Sequence, residues 1–368
     1  MALEIDSNPY QLIEESNLLP YGSAQKADLL DRAVVLADKS GSVRTQFDAR
    51  MARLFCATFG GEPQLMLALF AWCQSTADKR PDIINPSELL WSAKFVLIKL
   101  PKYARITQQQ IDSIQHDMVR RYEAHGASLR GVYTSLMQAA LSQGRVPEAR
   151  VFWDKAMKLP RDNYADCRAC EVSNSLSLLA SEHRYEELLS TAKPILAGQL
   201  RCAEVPHFAY PSVLQAMHGL EQQEDTRPLS NKGYRLIQSN AKFIGCVATL
   251  IELLVLDDEL IRAAQLVTRH LPWLQATTLD TERLHYTHAL HRLLLAIWAK
   301  PIRAAQWRQQ LFAALEEIYG AGAGQDDDKA RLEWLLQQTT TAGLAIADAL
   351  DQRNANRYYR EHWNLATY

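Results

Sequence analysis

The sequence predicts an all-α protein, a solenoid of antiparallel helix pairs. Three observations carry that expectation. Nearly every segment has helical periodicity, and no run sustains the period-2 alternation of β-branched residues that a strand needs. Glycine totals only 15, and many of these fall between helical runs rather than inside them. The connections between runs are short, which favours antiparallel neighbours.

In chain order, residues 1–25 read as an irregular lead-in holding Pro9 and Pro20. Candidate helices come next at 24–39, 43–58, 63–78, 86–99, 107–125 and 128–143. Later ones fall at 146–158, 168–181, 184–198, 208–223, 228–239, 241–255, 258–271, 280–299, 301–318, 327–350 and 353–363. They group as an N-terminal region of degenerate repeats over 26–125, a repeat array over 126–318 and capping helices over 319–368.

The repeat unit is clearest in 130–160. Tyr133, Leu136 and Ala140 lie along a first helix, and Gly144-Arg145 forms the turn. Glu148, Ala149, Trp153 and Ala156 occupy a second helix, which Pro160 ends. Alanine at the crossing lets the two backbones approach, and Trp153 supplies volume beside it. Second helices open again at Tyr185–Leu188, Asp258–Ala264 and Ile302–Ala305. Equating Ala149, Leu188, Ala263 and Ala304 gives spacings of 39, 75 and 41 residues, the middle one holding two units. The pattern resembles the tetratricopeptide repeat, with units longer than that family's usual 34 residues. The resemblance covers 130–318 and implies a right-handed superhelical array.

Composition places the chain among ordinary folded proteins, with 48% apolar and 22% charged residues. Forty basic residues balance 42 acidic ones, leaving a net charge of -2. That balance removes the general electrostatic footprint of a nucleic-acid binder. The opening Met1–Asp6 has no basic stretch leading into an apolar one, so no secretory signal is read. No apolar stretch is long enough to span a bilayer. A cytoplasmic location is expected, where six cysteines (Cys56, Cys73, Cys167, Cys170, Cys202 and Cys246) stay reduced.

One constellation carries chemistry. Asp166-Cys167-Arg168-Ala169-Cys170 and Cys202-Ala203-Glu204-Val205-Pro206-His207 give C-x2-C, 31 residues, then C-x4-H. Zinc takes tetrahedral thiolate and imidazole ligands, and C-x2-C brings two thiolates from one turn to one ion. Cys167, Cys170, Cys202 and His207 would form a closed Cys3His set, hence a structural site. Both half-motifs precede the first helix of consecutive pairs, and equivalent loops of a repeat array stack. Pro206 would stiffen the loop presenting His207, and Asp166 and Glu204 would serve as outer acceptors. An equally weighted reading makes these cysteines small buried apolar residues and His207 a helix cap. A Cys167–Cys170 redox pair is a third, without a supporting βαβ context.

The same segment resembles a set of uncharacterised bacterial tetratricopeptide-repeat proteins. They share Asp166-Cys167-x-x-Cys170, Cys202-x-Glu204-x-Pro206-His207, Gly233-Tyr234-Arg235-Leu236 and a stretch like His270-Leu271-Pro272-Trp273. The resemblance spans much of 60–300. It implies a bacterial origin and brings no established activity.

Several features are weaker. Glu282, His285, His288 and His291 recur every three residues on one helix, more in keeping with a polar contact than a metal centre. Lys94, Lys99, Lys102, Arg105, Arg120, Arg121 and Arg130 make 94–130 mildly basic, near Trp91 and Tyr103. Gly320–Asp328 reads as a turn with an acidic helix cap, and Tyr358–Trp363 as a capping helix or docking surface. No catalytic triad or nucleotide fingerprint appears, so an enzyme is not expected. The expected function is an interaction scaffold for a protein or peptide partner, with Tyr133 and Tyr210 as anchors and Arg130 as a carboxylate clamp. A helical-repeat RNA binder using the 94–130 face is the alternative, and a metalloenzyme a remote one.

Overall fold

Side-chain caps mark where several of the helices start. The computed structural model describes residues 8–222, 226–300, 305–322 and 327–365. Asn8 caps α1 (Pro9–Asn17) by accepting from the Tyr10 amide, with Pro9 at the first helical position. Proline there loses nothing, because that amide has no partner inside the helix anyway. This helix lies within the expected irregular lead-in, of which residues 1–7 fall outside the described residues. Ser23 caps α2 (Ala24–Ser40), and Gly41 ends it with φ +68°, a left-handed stop. The helices α3 (Val43–Gly60), α4 (Pro63–Lys79) and α5 (Glu88–Lys99) come next. Thr107 and Gln110 form a reciprocal capping box at the start of α6 (Gln108–His125).

The chain continues with α7 (Arg130–Leu141), α8 (Val146–Met157), α9 (Arg168–Ser181), α10 (Tyr185–Leu196), α11 (Ala209–Gly219) and α12 (Thr226–Ile237). After these come α13 (Ile244–Leu256), α14 (Leu260–Ala276), α15 (Asp280–Ala299), α16 (Ala305–Tyr319), α17 (Asp328–Asn354) and α18 (Tyr358–Leu365). The described residues contain no strand, only an isolated Cys202–Val205 bridge. None of their helices is long and apolar enough to cross a membrane. The repeat signal at Ile302–Ala304 lies outside the described residues, as do Ala323–Asp326 of the acidic turn. Asp327 caps α17 by accepting from the Lys329 amide at 3.0 Å, and Asp328 pairs with Arg308 at 2.7 Å.

Two compact units divide the chain. One is Met1–Ala139 with Asp154–Ala165; the other is Ala140–Trp153 with Asp166–Tyr368. In the first, α1 to α4 pack in sequence, α3 also meets α5, and α5 meets α6. Phe47, Phe70, Tyr103 and Tyr122 fill the core, and Tyr122 donates to the Leu90 carbonyl at 2.9 Å. Arg53 is only 3% exposed and forks onto Asp31 and Glu62.

In the second unit, α9, α11, α13, α15 and α17 form a row in which each packs on the next, and α14 packs on α16. Contacts between alternate helices are what a helical repeat requires. Gly233 opens a slot on α12, where an added Cβ would lie 2.9 Å from that of Tyr210. The last helices return to the first turn of this unit. Tyr359 donates to the Ser142 carbonyl at 2.8 Å, Asn356 to the Gln143 carbonyl at 2.7 Å, and the Tyr358 ring lies over Gly144. A stack that touches only sequential neighbours does not make such contacts.

Candidate metal centre

Cys167 and Cys170 converge because a helix begins between them. Cys167 is the N-cap of α9, with extended φ/ψ, and its Sγ accepts from the Cys170 amide at 3.4 Å. A cap side chain reaches back over the third helical residue, so C-x2-C at a helix start puts both thiols on one side. Cys202 arrives from the turn before α11. Its amide donates to the Val205 carbonyl at 3.3 Å and its carbonyl accepts from Val205 at 3.2 Å. Val205 is buried and anchors that turn, and the Val205–Pro206 bond is cis. The three Sγ atoms all lie within 4.8 Å of one another.

That spacing suits a thiophilic metal. Bonds of ~2.3 Å to a tetrahedral zinc place sulfurs ~3.8 Å apart, inside the 4.8 Å that bounds the three sulfurs. Burial pushes the Cys170 thiol well above its usual range, and the neighbouring Cys167 and Cys202 sulfurs push it further. Burial opposes the Cys167 thiolate too, but the Cys170 amide and the hydrogen bonds from Cys170 and Cys202 outweigh it and hold its pKa down. Three thiols in such proximity shed their protons together only when a cation takes up the charge.

The cysteines divide by exposure. Cys56, Cys73 and Cys246 are buried, and burial pushes the Cys73 thiol up to about 12. They behave as small apolar core residues. Cys167 and Cys202 are exposed and Cys170 is half-buried, so core filling does not account for this trio.

His207 is not part of the three-thiol group. Its ring stacks on Phe243, with centroids 5.1 Å apart and planes 5° from parallel. Its Nδ1 is buried and has no hydrogen-bond partner. Burial, then Lys242, lowers its pKa, which favours the neutral imidazole a metal needs. Glu204, expected as an outer acceptor, binds Lys242 at 2.9 Å.

The other predicted residues sit elsewhere. Tyr210 is 2% exposed and packs on Gly233, so burial withdraws it from any partner surface. Arg130 donates to the Leu159 carbonyl at 2.8 Å, serving the end of α8. Tyr133 is half-buried, with Lys155 over its ring at 5.6 Å. Within the basic stretch, Lys94 is 1% exposed and donates to the Tyr164 carbonyl at 3.0 Å. Arg121 is buried between Asp78 and Asp117. Neither faces a phosphate backbone.

Glu252 was not legible as a partner of the histidine row. It accepts from His288 Nδ1 at 2.6 Å and lies 3.6 Å from His285 Nε2. Its distance from His288 in sequence is 36 residues, close to the repeat spacing and the one signal that could have found it. His285 and His288 hold the Glu252 carboxyl well below the usual range, against the opposing effect of burial.

The fold and site together define an all-α protein with stacked alternate helices and a partly exposed three-thiol cluster. No protein-family model matches the chain, and no curated protein matches it.

Proposed function

We propose that the chain is a tetratricopeptide-like interaction scaffold in which Cys167, Cys170 and Cys202 hold one structural zinc ion. The observation that carries the metal reading is the convergence of three sulfurs from two separate turns, two of them exposed. The ion would tie the start of α9 to the turn before α11, elements that also pack on each other. In this reading His207 supplies the fourth ligand after a shift of its turn, which would give its buried Nδ1 a partner. The cytoplasm is the compartment that keeps such thiols reduced. Stacked helices offer extended surface to a protein or peptide, and the scaffold role rests on that architecture.

Elemental analysis of purified protein tests the metal. About one zinc per chain is expected, as one tetrahedral site requires, with loss in Cys170→Ala and in Cys202→Ala. Metal-free protein whose thiols react freely and whose stability is unchanged by chelator would overturn it. Affinity purification from the native cell, with mass spectrometry of co-purifying proteins, tests the scaffold. Retention of a partner in high salt supports it. Enrichment of RNA that salt abolishes would instead favour the nucleic-acid reading.

A further inference from the structure

A cavity of about 230 Å³ opens in the second unit between α12, α13 and α14. Its chemistry is split. Leu250 and Leu254 of α13 and Leu266 of α14 give it an apolar floor, while Tyr234, Arg262 and Arg269 stand around it. The helices above it are cationic. α12 carries Arg227, Lys232 and Arg235, α14 carries Arg262 and Arg269, and neither contains a carboxylate. The whole chain has a net charge of -2, so this is a local concentration and not a general property.

The two arginines differ in what they already hold. Arg262 reaches Glu259 at 3.3 Å and also donates to Asn231. Arg269 is exposed and has no carboxylate partner among the described residues. Its guanidinium lies 5.8 Å from the centre of the Tyr234 ring. Tyr234 is itself fixed, since its hydroxyl is hydrogen-bonded to Nε2 of His270 at 3.0 Å and His270 is 1% exposed. A guanidinium steered over an aromatic face at the rim of an apolar cavity is poised for an anion. The planar guanidinium can pair with a carboxylate in a bidentate fork at the rim, and the leucine floor offers apolar surface beside it.

We propose that this cavity binds a small carboxylic acid with an apolar tail. The carboxylate would sit on Arg269, with Arg262 assisting, and the tail on Leu250, Leu254 and Leu266. Size bounds the guest. An apolar cavity of roughly 150 Å³ accepts benzene, so this one has room for about nine or ten heavy atoms. A bare anion leaves the floor unused, and an apolar cation meets repulsion. The site is independent of the thiol cluster and does not rest on the metal reading.

The test is calorimetric titration of the intact protein with octanoate at low ionic strength. Acetate serves as the tail-less control and octylammonium as the charge-reversed one. Saturable octanoate binding with a Kd of about 1 mM or tighter is expected, with both controls at least ~10-fold weaker. Arg269→Glu should weaken octanoate by at least ~10-fold with only a small drop in melting temperature, because Arg269 holds no ion pair and loses only its exposed contact with the Tyr234 ring. Arg269→Gln should give a smaller loss in the same direction. Octanoate binding that is absent, unaltered by Arg269→Glu or matched by octylammonium overturns the proposal.

Discussion

Gly343 sits in the middle of the 27-residue helix α17, where glycine is normally a cost. Replacing it with alanine in an exposed helix would stabilise by about 1 kcal/mol. Here the opposite is expected. A Cβ at this position would lie 2.8 Å from Cε3 of Trp363, and nearer still to Cζ3 and Cη2. Carbon atoms settle at roughly 3.5–4.0 Å, so the indole would have to retreat by about 1 Å or more. It has little room to do so. Trp363 is 3% exposed, and its ring packs on His291 at 5.1 Å and His288 at 5.5 Å. His291 is pinned by a 3.0 Å hydrogen bond to Thr339. Overpacking of this kind costs about 1–3 kcal/mol. The upper bound is set by release of α18, which forfeits the tryptophan's burial, about 3–5 kcal/mol. With three indole atoms inside 3 Å and no room to move, the upper part of that range applies, about 2–3 kcal/mol, so Gly343→Ala should destabilise by about 1–2 kcal/mol net of the propensity gain. With 8 tryptophans in the chain, fluorescence reports on no single site, so urea unfolding is best followed by far-UV circular dichroism. The informative comparison is the double-mutant cycle with Trp363→Ala. In that background the same substitution should become stabilising by up to about 1 kcal/mol, giving a coupling of about 2–3 kcal/mol. Additive effects, or a Gly343→Ala protein as stable as the parent with Trp363 present, would refute the contact.

Three further outcomes are expected. His270 and His291 are 1% and 4% exposed, and burial pushes both pKa values down to about 4, with Arg269 and His288 adding to it. The unfolded chain then takes up protons below about pH 6.5 that the folded chain refuses, so stability falls as pH drops from there toward 4. Each should cost about 2 kcal/mol at pH 5, and His291→Gln should flatten the pH 7 to pH 5 stability slope by about that amount. Glu252 works in a lower window: its depressed pKa adds stability above about pH 4.3 that is lost as pH falls toward the folded value. Glu252→Gln should cost about 2 kcal/mol at neutral pH by weakening a charged hydrogen bond, and a thermal melt showing no change would count against that bond. Arg53→Ala should cost only about 2 kcal/mol, below the ~3–5 of a fully buried broken pair. Its partners Asp31 and Glu62 keep 60% and 39% exposure and can return to water. A loss above about 4 kcal/mol in denaturant unfolding would mean the carboxylates are stranded.

The legible part of the fold is bounded by the range over which each sequence signal acts. Periodicity and caps are local, and α9 and α15 fall over 168–181 and 280–299 as expected. The exception is α1, where Pro9 looks like a breaker until Asn8 is recognised as a cap that makes it a first-turn residue. The thiols sit at the edge of this range. Cys167 and Cys170 are one helical turn apart, and Cys202 joins them at about the repeat spacing, so periodicity alone suggested the meeting. His207 shows where that logic stops. The 202–205 turn redirects the chain beyond it, and the ring settles on Phe243, a neighbour no spacing rule supplies. Tyr210 was misplaced for a related reason. Choosing the exposed face of α11 requires knowing that Gly233 of α12 leaves a slot for an aromatic ring. The return of α18 to the 142–145 turn lies further out of reach, because its hydrogen bonds join residues 209 to 217 positions apart. Those bonds use backbone carbonyls as acceptors, and a carbonyl carries no residue identity for a sequence to display. Closure of the second unit is thus written in shape complementarity, Tyr358 against Gly144 and Trp363 against Gly343, at glycines that in sequence read only as a turn and a weak helix position.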